Sequence, residues 1–105
     1  MAQFVTGTGA DAAPVLAVSG DLDISGVEEF LEHADRLLDA GSAAIEVDLA
    51  GVTFIDSSGL GALVRLQRTA TAAGRQLRLV NVPRPVTRIL ELTGLTELFT
   101  ERSES

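Results

Sequence analysis

The segment of this chain with the most potential for chemistry is Phe54–Gly61, which reads FIDSSGLG. An apolar strand end runs directly into small polar residues, which open a segment with apolar residues at helical spacing. Because the first turn of a helix has unpaired backbone N–H groups and a partial positive charge, it accepts anionic groups. The segment therefore predicts one of two things: a phosphate carried on a local serine, or only a side-chain cap by Asp56 or Ser57.

Three enzymatic motifs can be compared with this segment, and each lacks a residue that its chemistry needs. A nucleophile elbow has glycine two positions before its serine, but Ile55 stands there before Ser57. A dinucleotide fingerprint needs a third glycine where this chain has Val64, and a P-loop needs a lysine, which the chain lacks. Ser57 also has no local base, which suits a kinase substrate better than a nucleophile. We therefore expect no enzyme and no catalytic residue.

The composition excludes further classes of protein. The 105 residues have a formal net charge of −7, and this argues against nucleic-acid binding, which depends on clustered positive charge. With no cysteine and one histidine, His33, the chain cannot assemble a thiolate or His-rich metal site, and we expect no metal and no cofactor. Its first residues, Met1 to Asp11, lack the basic start and the apolar run that are expected of a signal peptide, and no apolar stretch approaches the roughly 18 residues of a spanning helix. We therefore expect a cytoplasmic protein without membrane insertion.

Hydrophobic patterning predicts the strands that position the segment. The predicted strands cover residues 3–6, 14–19, 44–49 and 77–82. The continuous apolar run at Val15–Val18 is typical of a strand that is covered on both faces. Gly20–Asp23 is predicted to form a polar bend, and Val52–Ile55 an apolar bend.

Three helices are predicted from apolar residues at helical spacing. The first begins at a capping box formed by Ser25 and Glu28. The second follows the Asp-Ser-Ser-Gly segment and directs Arg65 and Arg68 outward, and the third opens at Pro83. Each is expected to end at a glycine: Gly41, Gly74 and Gly94.

The order β, β, α, β, α, β, α indicates an α/β fold with parallel neighbours and one antiparallel strand from the opening hairpin. We expect a single domain at residues 1–100. It should contain a mixed, mostly parallel sheet of four to five strands packed with three to four helices. Residues 101–105 are expected to form a flexible tail.

These motifs together resemble the STAS domain in its anti-sigma factor antagonist form. The similarity covers nearly the whole chain, and it rests on Gly20–Asp23, Val47–Leu49, Phe54–Gly61 and Thr93–Leu95 before Phe99. The Asp-Ser-Ser-Gly segment is the specific part, because transporter-associated STAS domains share the fold but often lack a phosphorylatable serine there.

The resemblance implies a partner-switching cycle that regulates bacterial transcription. The unphosphorylated antagonist binds an anti-sigma factor that is also a serine kinase, and this binding releases the sigma factor. Phosphorylation by the kinase ends the binding, and a protein serine phosphatase acts on the phosphorylated form. The phosphorylated residue would be Ser57, and the partner-binding residues would be Asp23, Asp56, Ser57, Ser58, Gly59 and Leu60.

Two other functions remain open at the level of the sequence. The chain could be a non-catalytic STAS accessory or scaffold subunit of a stress-signalling assembly or of a membrane transporter complex. It could also bind a nucleotide or a lipid at the exposed helix end. Structural roles are equally open for Asp23, which could only end the bend before the first helix, and for Asp48, which could only bind loop backbone.

Overall fold

The computed structural model describes residues 2–8 and 13–99, without the side chains of residues 97 and 98. Its elements are β1 (Gln3–Thr8), β2 (Pro14–Leu22), α1 (Ile24–Asp39), β3 (Ala44–Ile55), α2 (Ser57–Ala72), β4 (Gln76–Val80), α3 (Arg84–Thr93) and a 3-10 helix at Thr96–Phe99. The described strands form one sheet in the order β1-β2-β3-β4. β1 is antiparallel to β2, whereas β2, β3 and β4 are parallel. The predicted α/β class and mostly parallel sheet are confirmed.

α1 and α2 connect the parallel strands and pack against each other. Because such crossovers are right-handed, both helices lie on one face of the sheet and both begin at its carboxyl edge. At the opposite end, Asp35 and Asp39 of α1 line a cleft together with Thr69 of α2 and Ala73. The two helices therefore run side by side in the same direction.

The core lies between these helices and one face of the sheet. Its fully buried side chains come from alternate strand positions and from one stripe of each helix: Leu16, Ile45, Val47, Leu49, Phe30, Ala34, Leu63 and Ala70. Alternation of buried and half-buried residues along β3 follows from the period of two in a strand with one face in the core.

The prediction that Val15–Val18 is covered on both faces is wrong. Leu16 and Val18 are buried, but Val15 and Ala17 are only half-buried. They line a shallow groove on the other face of the sheet with Glu46. The apolar run arises because this open face carries small or branched apolar residues, not because a second layer covers it.

The two predicted bends are wrong for residues 20–22 and 52–55, which are strand, while Asp23 lies in a bend between β2 and α1. Residues 20–22 continue β2, and Leu22 pairs with Ile55 at the end of β3. Register irregularities at Ala17/Ser19 and Gly20/Asp21 let β2 change direction without ending. The polar residues in this part of β2 are compatible with a strand because they are only half-buried and stay in contact with water.

α1 begins earlier than the predicted capping box. Its N-cap is Asp23, whose Oδ1 accepts the backbone N–H of Ser25 at 3.0 Å. Ser25 therefore lies in the first turn, and the predicted capping role of Ser25 is wrong. Aspartate and serine cap helices about equally well, so the sequence pattern alone did not separate them.

The predicted helix ends are confirmed by backbone conformation. Gly41, Gly74 and Gly94 follow α1, α2 and α3 with φ of 90°, 74° and 74°, which glycine adopts without steric cost. Within the described residues, no helix has both the length and the apolarity needed to cross a membrane. The predicted tail at 101–105 and most of the predicted hairpin turn lie outside the described residues.

Replacement of Leu63 by alanine tests the position of the core, with Leu92→Ala as a matched control. Both leucines are helical, but Leu63 is fully buried and Leu92 is 77% exposed. We expect Leu63→Ala to lower the free energy of unfolding by about 2–5 kcal/mol. Leu92→Ala should change it by less than about 0.5 kcal/mol. Urea denaturation followed by circular dichroism measures both, and equal effects would contradict this core.

Candidate functional site

The carboxyl edge of the sheet brings two helix N-termini together. Leu22 and Ile55 are partners at the ends of adjacent parallel strands. Asp23 follows the first and caps α1, while Asp56 follows the second and caps α2. The two halves of the predicted site, which are 33 positions apart in the sequence, therefore meet at one edge.

Asp56 is the side-chain cap of α2, and a role for it in partner binding stays a prediction. Its Oδ1 accepts the backbone N–H of Gly59 at 3.0 Å, and its carbonyl accepts the N–H of Leu60 at 3.0 Å. Ser57 is the first residue of α2 and is exposed, whereas Ser58 is half-buried. Since the cap takes the N–H of Gly59, the N–H groups of the two serines have no partner within the helix.

Gly59 allows α2 to pack directly on the strand ends. It is buried, and a Cβ built on it would clash with the carbonyl oxygen of Leu22 and lie 2.7 Å from Cγ1 of Ile55. Leu60 is half-buried against the core. Of the predicted partner-binding residues, these two face inward more than Ser57 does.

Asp23 is engaged by α1 itself. Its Oδ1 accepts the backbone N–H of Ser25 at 3.0 Å and the hydroxyl of Ser25 at 2.6 Å. The hydrogen bond from the Ser25 hydroxyl is the largest cause that holds the pKa of Asp23 below its usual value. Asp23 therefore keeps its negative charge beside the start of α2.

Two exposed apolar side chains next to this edge were missed in the sequence. Ile24 begins α1 and is 73% exposed, and Phe54 near the end of β3 is 52% exposed. Phe54 also lines a narrow cleft of about 160 Å³ with Pro83 and Ile89. Phe54 is out of phase with the buried residues Ile45, Val47 and Leu49 of β3, which is a signal in the sequence, whereas Ile24 has the same helical spacing as the half-buried Val27 and Leu31.

Other singled-out residues lie away from this edge or have structural roles. Asp48 accepts the N–H of Ala50 at 2.9 Å and the amide of Asn81 at 3.2 Å, so it links β3 to the residue after β4. The His33 ring lies 5.4 Å from the Phe4 ring, between their centroids, on the flank of α1 beside β1. In the part of the chain that the structure describes, no group of three or more His, Asp or Glu side chains could hold a metal ion.

The Ser57 hydroxyl lies near two carboxylates that already accept hydrogen bonds from other residues. The Ser57 side chain makes no hydrogen bond with another described residue, while the neighbouring carboxylates of Asp23 and Asp56 are bound to Ser25 and Gly59. A nucleophilic serine needs a base within hydrogen-bond reach. The site therefore suits a residue that another protein modifies or binds.

Comparison with known proteins places the chain among similar domains. A family model described as "Mlab, STAS domain" matches residues 6–100. The anti-sigma-B factor antagonist of Staphylococcus epidermidis is 31% identical over 82 residues, which are 78% of this chain and 76% of that protein.

Solved structures show the same fold. An anti-sigma factor antagonist from Mycobacterium paratuberculosis has a TM-score of 0.78 at 23% identity, covering 94% of this chain and 83% of its own. The anti-sigma factor antagonist SpoIIAA in its unphosphorylated form has a TM-score of 0.76 at 21% identity, over 97% of this chain and 90% of its own. The phosphorylated form of the Bacillus protein SpoIIAA has a TM-score of 0.71 at 20% identity, over 97% and 93%.

Two glycines of the site segment provide a matched test of the packing. Gly59→Ala should lower the free energy of unfolding by about 1–3 kcal/mol, because its Cβ would clash with the Leu22 carbonyl. Gly61→Ala should raise it by about 0.5–1 kcal/mol, since a Cβ there meets nothing within 4 Å and alanine favours the helix. Denaturant titration of both variants measures the difference. A stabilising Gly59→Ala would refute the close contact of α2 with β2.

The hydrogen bond between Ser25 and Asp23 predicts a pH effect. A pKa that is lower in the folded state adds stability above the unfolded pKa, and this stability is lost as the pH falls through the folded pKa. Ser25→Ala should therefore raise the pKa of Asp23 and move the onset of acid unfolding to higher pH. Carboxyl titration by NMR measures the pKa, with Ser58→Ala as the control. An unchanged Asp23 titration in Ser25→Ala would contradict the assigned cause.

Proposed function

This chain belongs to the STAS domain family, and on that premise we propose that it is an anti-sigma factor antagonist controlled by phosphorylation of Ser57. The observation that carries the proposal is the exposed hydroxyl of Ser57 at the first position of α2. The unphosphorylated chain binds a serine kinase that is an anti-sigma factor, and the sigma factor is released. The chain acts without catalysis of its own, in the cytoplasm.

The chemistry of phosphorylation comes from the kinase. ATP, Mg²⁺ and the catalytic carboxylate belong to such enzymes, so the substrate needs only to present its hydroxyl. Ser57 meets this requirement, whereas Ser58 is half-buried and a poorer acceptor. The names of the relatives support the role, and SpoIIAA, a protein of this fold, has been solved in a phosphorylated form. A serine phosphatase completes the cycle by restoring the hydroxyl.

The proposed partner surface combines charge with apolar contact. Asp23 and Asp56 supply negative charge at the carboxyl edge, and the exposed side chains of Ile24 and Phe54 supply apolar area next to Ser57. A few side chains that become fully buried on association contribute most of the affinity of many interfaces. Gly59 lies beneath this surface in the interior of the chain, where its lack of a side chain lets α2 pack closely against β2.

Phosphorylation would change the charge of this surface while the fold stays the same. A phosphate adds about −1.5 to −2 charges at neutral pH. The free N–H groups at the start of α2 favour it in part, but neither Asp23 nor Asp56 can offset it. A partner carboxylate about 6 Å away would repel each charge by about 2–3 kcal/mol at an effective dielectric constant near 20. That repulsion weakens binding by about 30- to 150-fold.

Phosphopeptide mass spectrometry of the protein isolated from its own cells tests this function first. We expect phosphate on Ser57 whose occupancy changes between growth and stress. Ser57 that stays unmodified while the protein is bound to partners would refute the switch and favour an accessory subunit of a larger assembly.

Binding to the serine kinase recovered with the protein provides the second test. Ser57→Asp should weaken this binding by about 30-fold or more, because it places a permanent negative charge at the helix start. Ser57→Ala should bind and stay unphosphorylated, and Ser58→Ala is the matched control that keeps both binding and phosphorylation. Isothermal titration calorimetry measures the affinities. Equal affinity of Ser57→Asp and the wild type would count against the mechanism.

A further inference from the structure

The charges of this acidic chain are divided between two parts of the sequence. Residues 21–56 contain ten acidic residues and a single arginine, Arg36, whereas residues 57–90 contain six arginines and no acidic residue. α1 lies in the first part and α2 in the second. Because the two helices are neighbours, an acidic surface and a basic surface lie side by side.

Each helix carries most of its charges on a stripe that points away from the sheet. On α1 the exposed stripe consists of Glu28, Glu32, Asp35 and Asp39, opposite the buried Phe30, Ala34 and Leu38. On α2 the exposed stripe consists of Ser57, Gly61, Arg65, Arg68 and Ala72. Arg36 lies nearer the flank of α1 that holds His33 beside β1, so it does not interrupt the acidic stripe.

The two stripes are in register along the helix axes. Both helices have 16 residues and begin two residues after the paired positions Leu22 and Ile55. Glu32 and Arg65 are each the ninth residue of their helix, and Asp35 and Arg68 are each the twelfth. At a rise of about 1.5 Å per residue, each acidic residue lies at nearly the same height as its basic counterpart.

The side chains of Glu32, Asp35, Arg65 and Arg68 pair with no residue in the described part of the chain. All four are exposed. Other charged side chains there do have close partners: Arg78 lies 3.8 Å from Glu46, and Glu29 lies 3.7 Å from the His33 ring. Two complementary and register-matched stripes are therefore available to an external surface with the same spacing.

We propose that a second copy of this chain is that surface, and that two copies form a symmetric dimer through α1 and α2. A two-fold axis parallel to the helices places α1 of each copy over α2 of the other. Glu32 then meets Arg65 of the second copy and Asp35 meets its Arg68, and symmetry repeats both pairs. Such an interface is self-complementary and closed, so it stops at a dimer.

Gly61 of α2 allows the helices of the two copies to approach each other closely. Gly61 is the fifth residue of α2, at the height of Glu28, the fifth residue of α1. A Cβ at Gly61 would meet nothing within 4 Å in this chain, so packing inside the chain does not require glycine there. In the dimer, Gly61 leaves room for Glu28 of the second copy.

The dimer is expected to be weak and reversible. Two helices about 24 Å long and about 10 Å wide each offer roughly 500 Å² per copy, or about 1,000 Å² in total. That area is at the lower limit for a specific interface. The stripes carry no large apolar side chain, so most of the specificity comes from ion pairs that salt weakens.

A dimer of this form would cover Ser57, which stands first on the α2 stripe. Self-association and binding to the kinase would then exclude each other. This consequence rests on the proposed function, whereas the dimer itself does not. The sedimentation experiment below involves no kinase, so its failure leaves the proposed function untouched.

Sedimentation velocity of the full chain at increasing protein concentration tests the dimer. We expect a reversible dimer at moderate salt whose dissociation constant rises at high salt. The double variant Arg65→Glu with Arg68→Glu should weaken association by about ten-fold or more, and so should Glu32→Arg with Asp35→Arg. An equimolar mixture of the two variants should form a dimer again, because each then offers the charge that the other needs.

Arg84→Glu with Arg88→Glu is the matched control, since it changes the net charge equally but alters α3, outside the interface. It should dimerise like the wild type. Wild-type protein that stays monomeric at every concentration would overturn the proposal. So would a dimer that both reversals leave intact, or a mixture of the two reversed variants that stays monomeric.

Discussion

The contact between Gly59 and the end of β2 is the constraint on which the site depends. Because Gly59 has no side chain, the first turn of α2 lies against the carbonyl of Leu22 and the side chain of Ile55. Any larger residue would push the helix away from the strand ends. The position of Ser57 relative to Asp23 follows from this contact, since Asp23 directly follows β2 and Ser57 begins α2. A residue buried in the chain thus sets the geometry of a surface hydroxyl.

The two aspartates at the edge have a double role. Each stabilises a helix by accepting backbone N–H groups, Asp23 at Ser25 and Asp56 at Gly59. Both carboxylates also lie at the edge where Ser57 begins α2, and the hydroxyl of Ser25 lowers the pKa of Asp23. A phosphate on Ser57 would lie near two carboxylates that already accept backbone N–H groups of the helices. The fold would therefore stay the same, and the added negative charge would act mainly on a protein surface that faces Ser57.

The sequence was most informative where a local pattern determines local structure. Helical spacing predicted the helices, the three glycines predicted their ends, and strand order predicted the sheet. It failed where several residue types can do the same job. Asp23 and Ser25 are both residue types that cap helices, and Gly20–Asp23 is compatible with a bend or with a strand. The pairing of Leu22 with Ile55 keeps residues 20–22 in β2, so the helix begins directly after Asp23. The exposure of Ile24 depends on which elements cover the start of α1, and its helical spacing does not report that.

The same parallel topology explains both the site and the charged surface. Since α1 and α2 follow neighbouring parallel strands, their N-termini meet at one edge and their outer faces lie side by side. Adjacent N-termini concentrate unpaired N–H groups and capping carboxylates around Ser57. Because the outer faces are adjacent, the acidic residues of α1 and the arginines of α2 form two neighbouring stripes at matching heights along the helix axes. Ser57 belongs to both features, because it is at once the first residue of α2 and the first position of its exposed stripe. A change of charge at this one residue would therefore act on any protein, including a second copy, that contacts either surface.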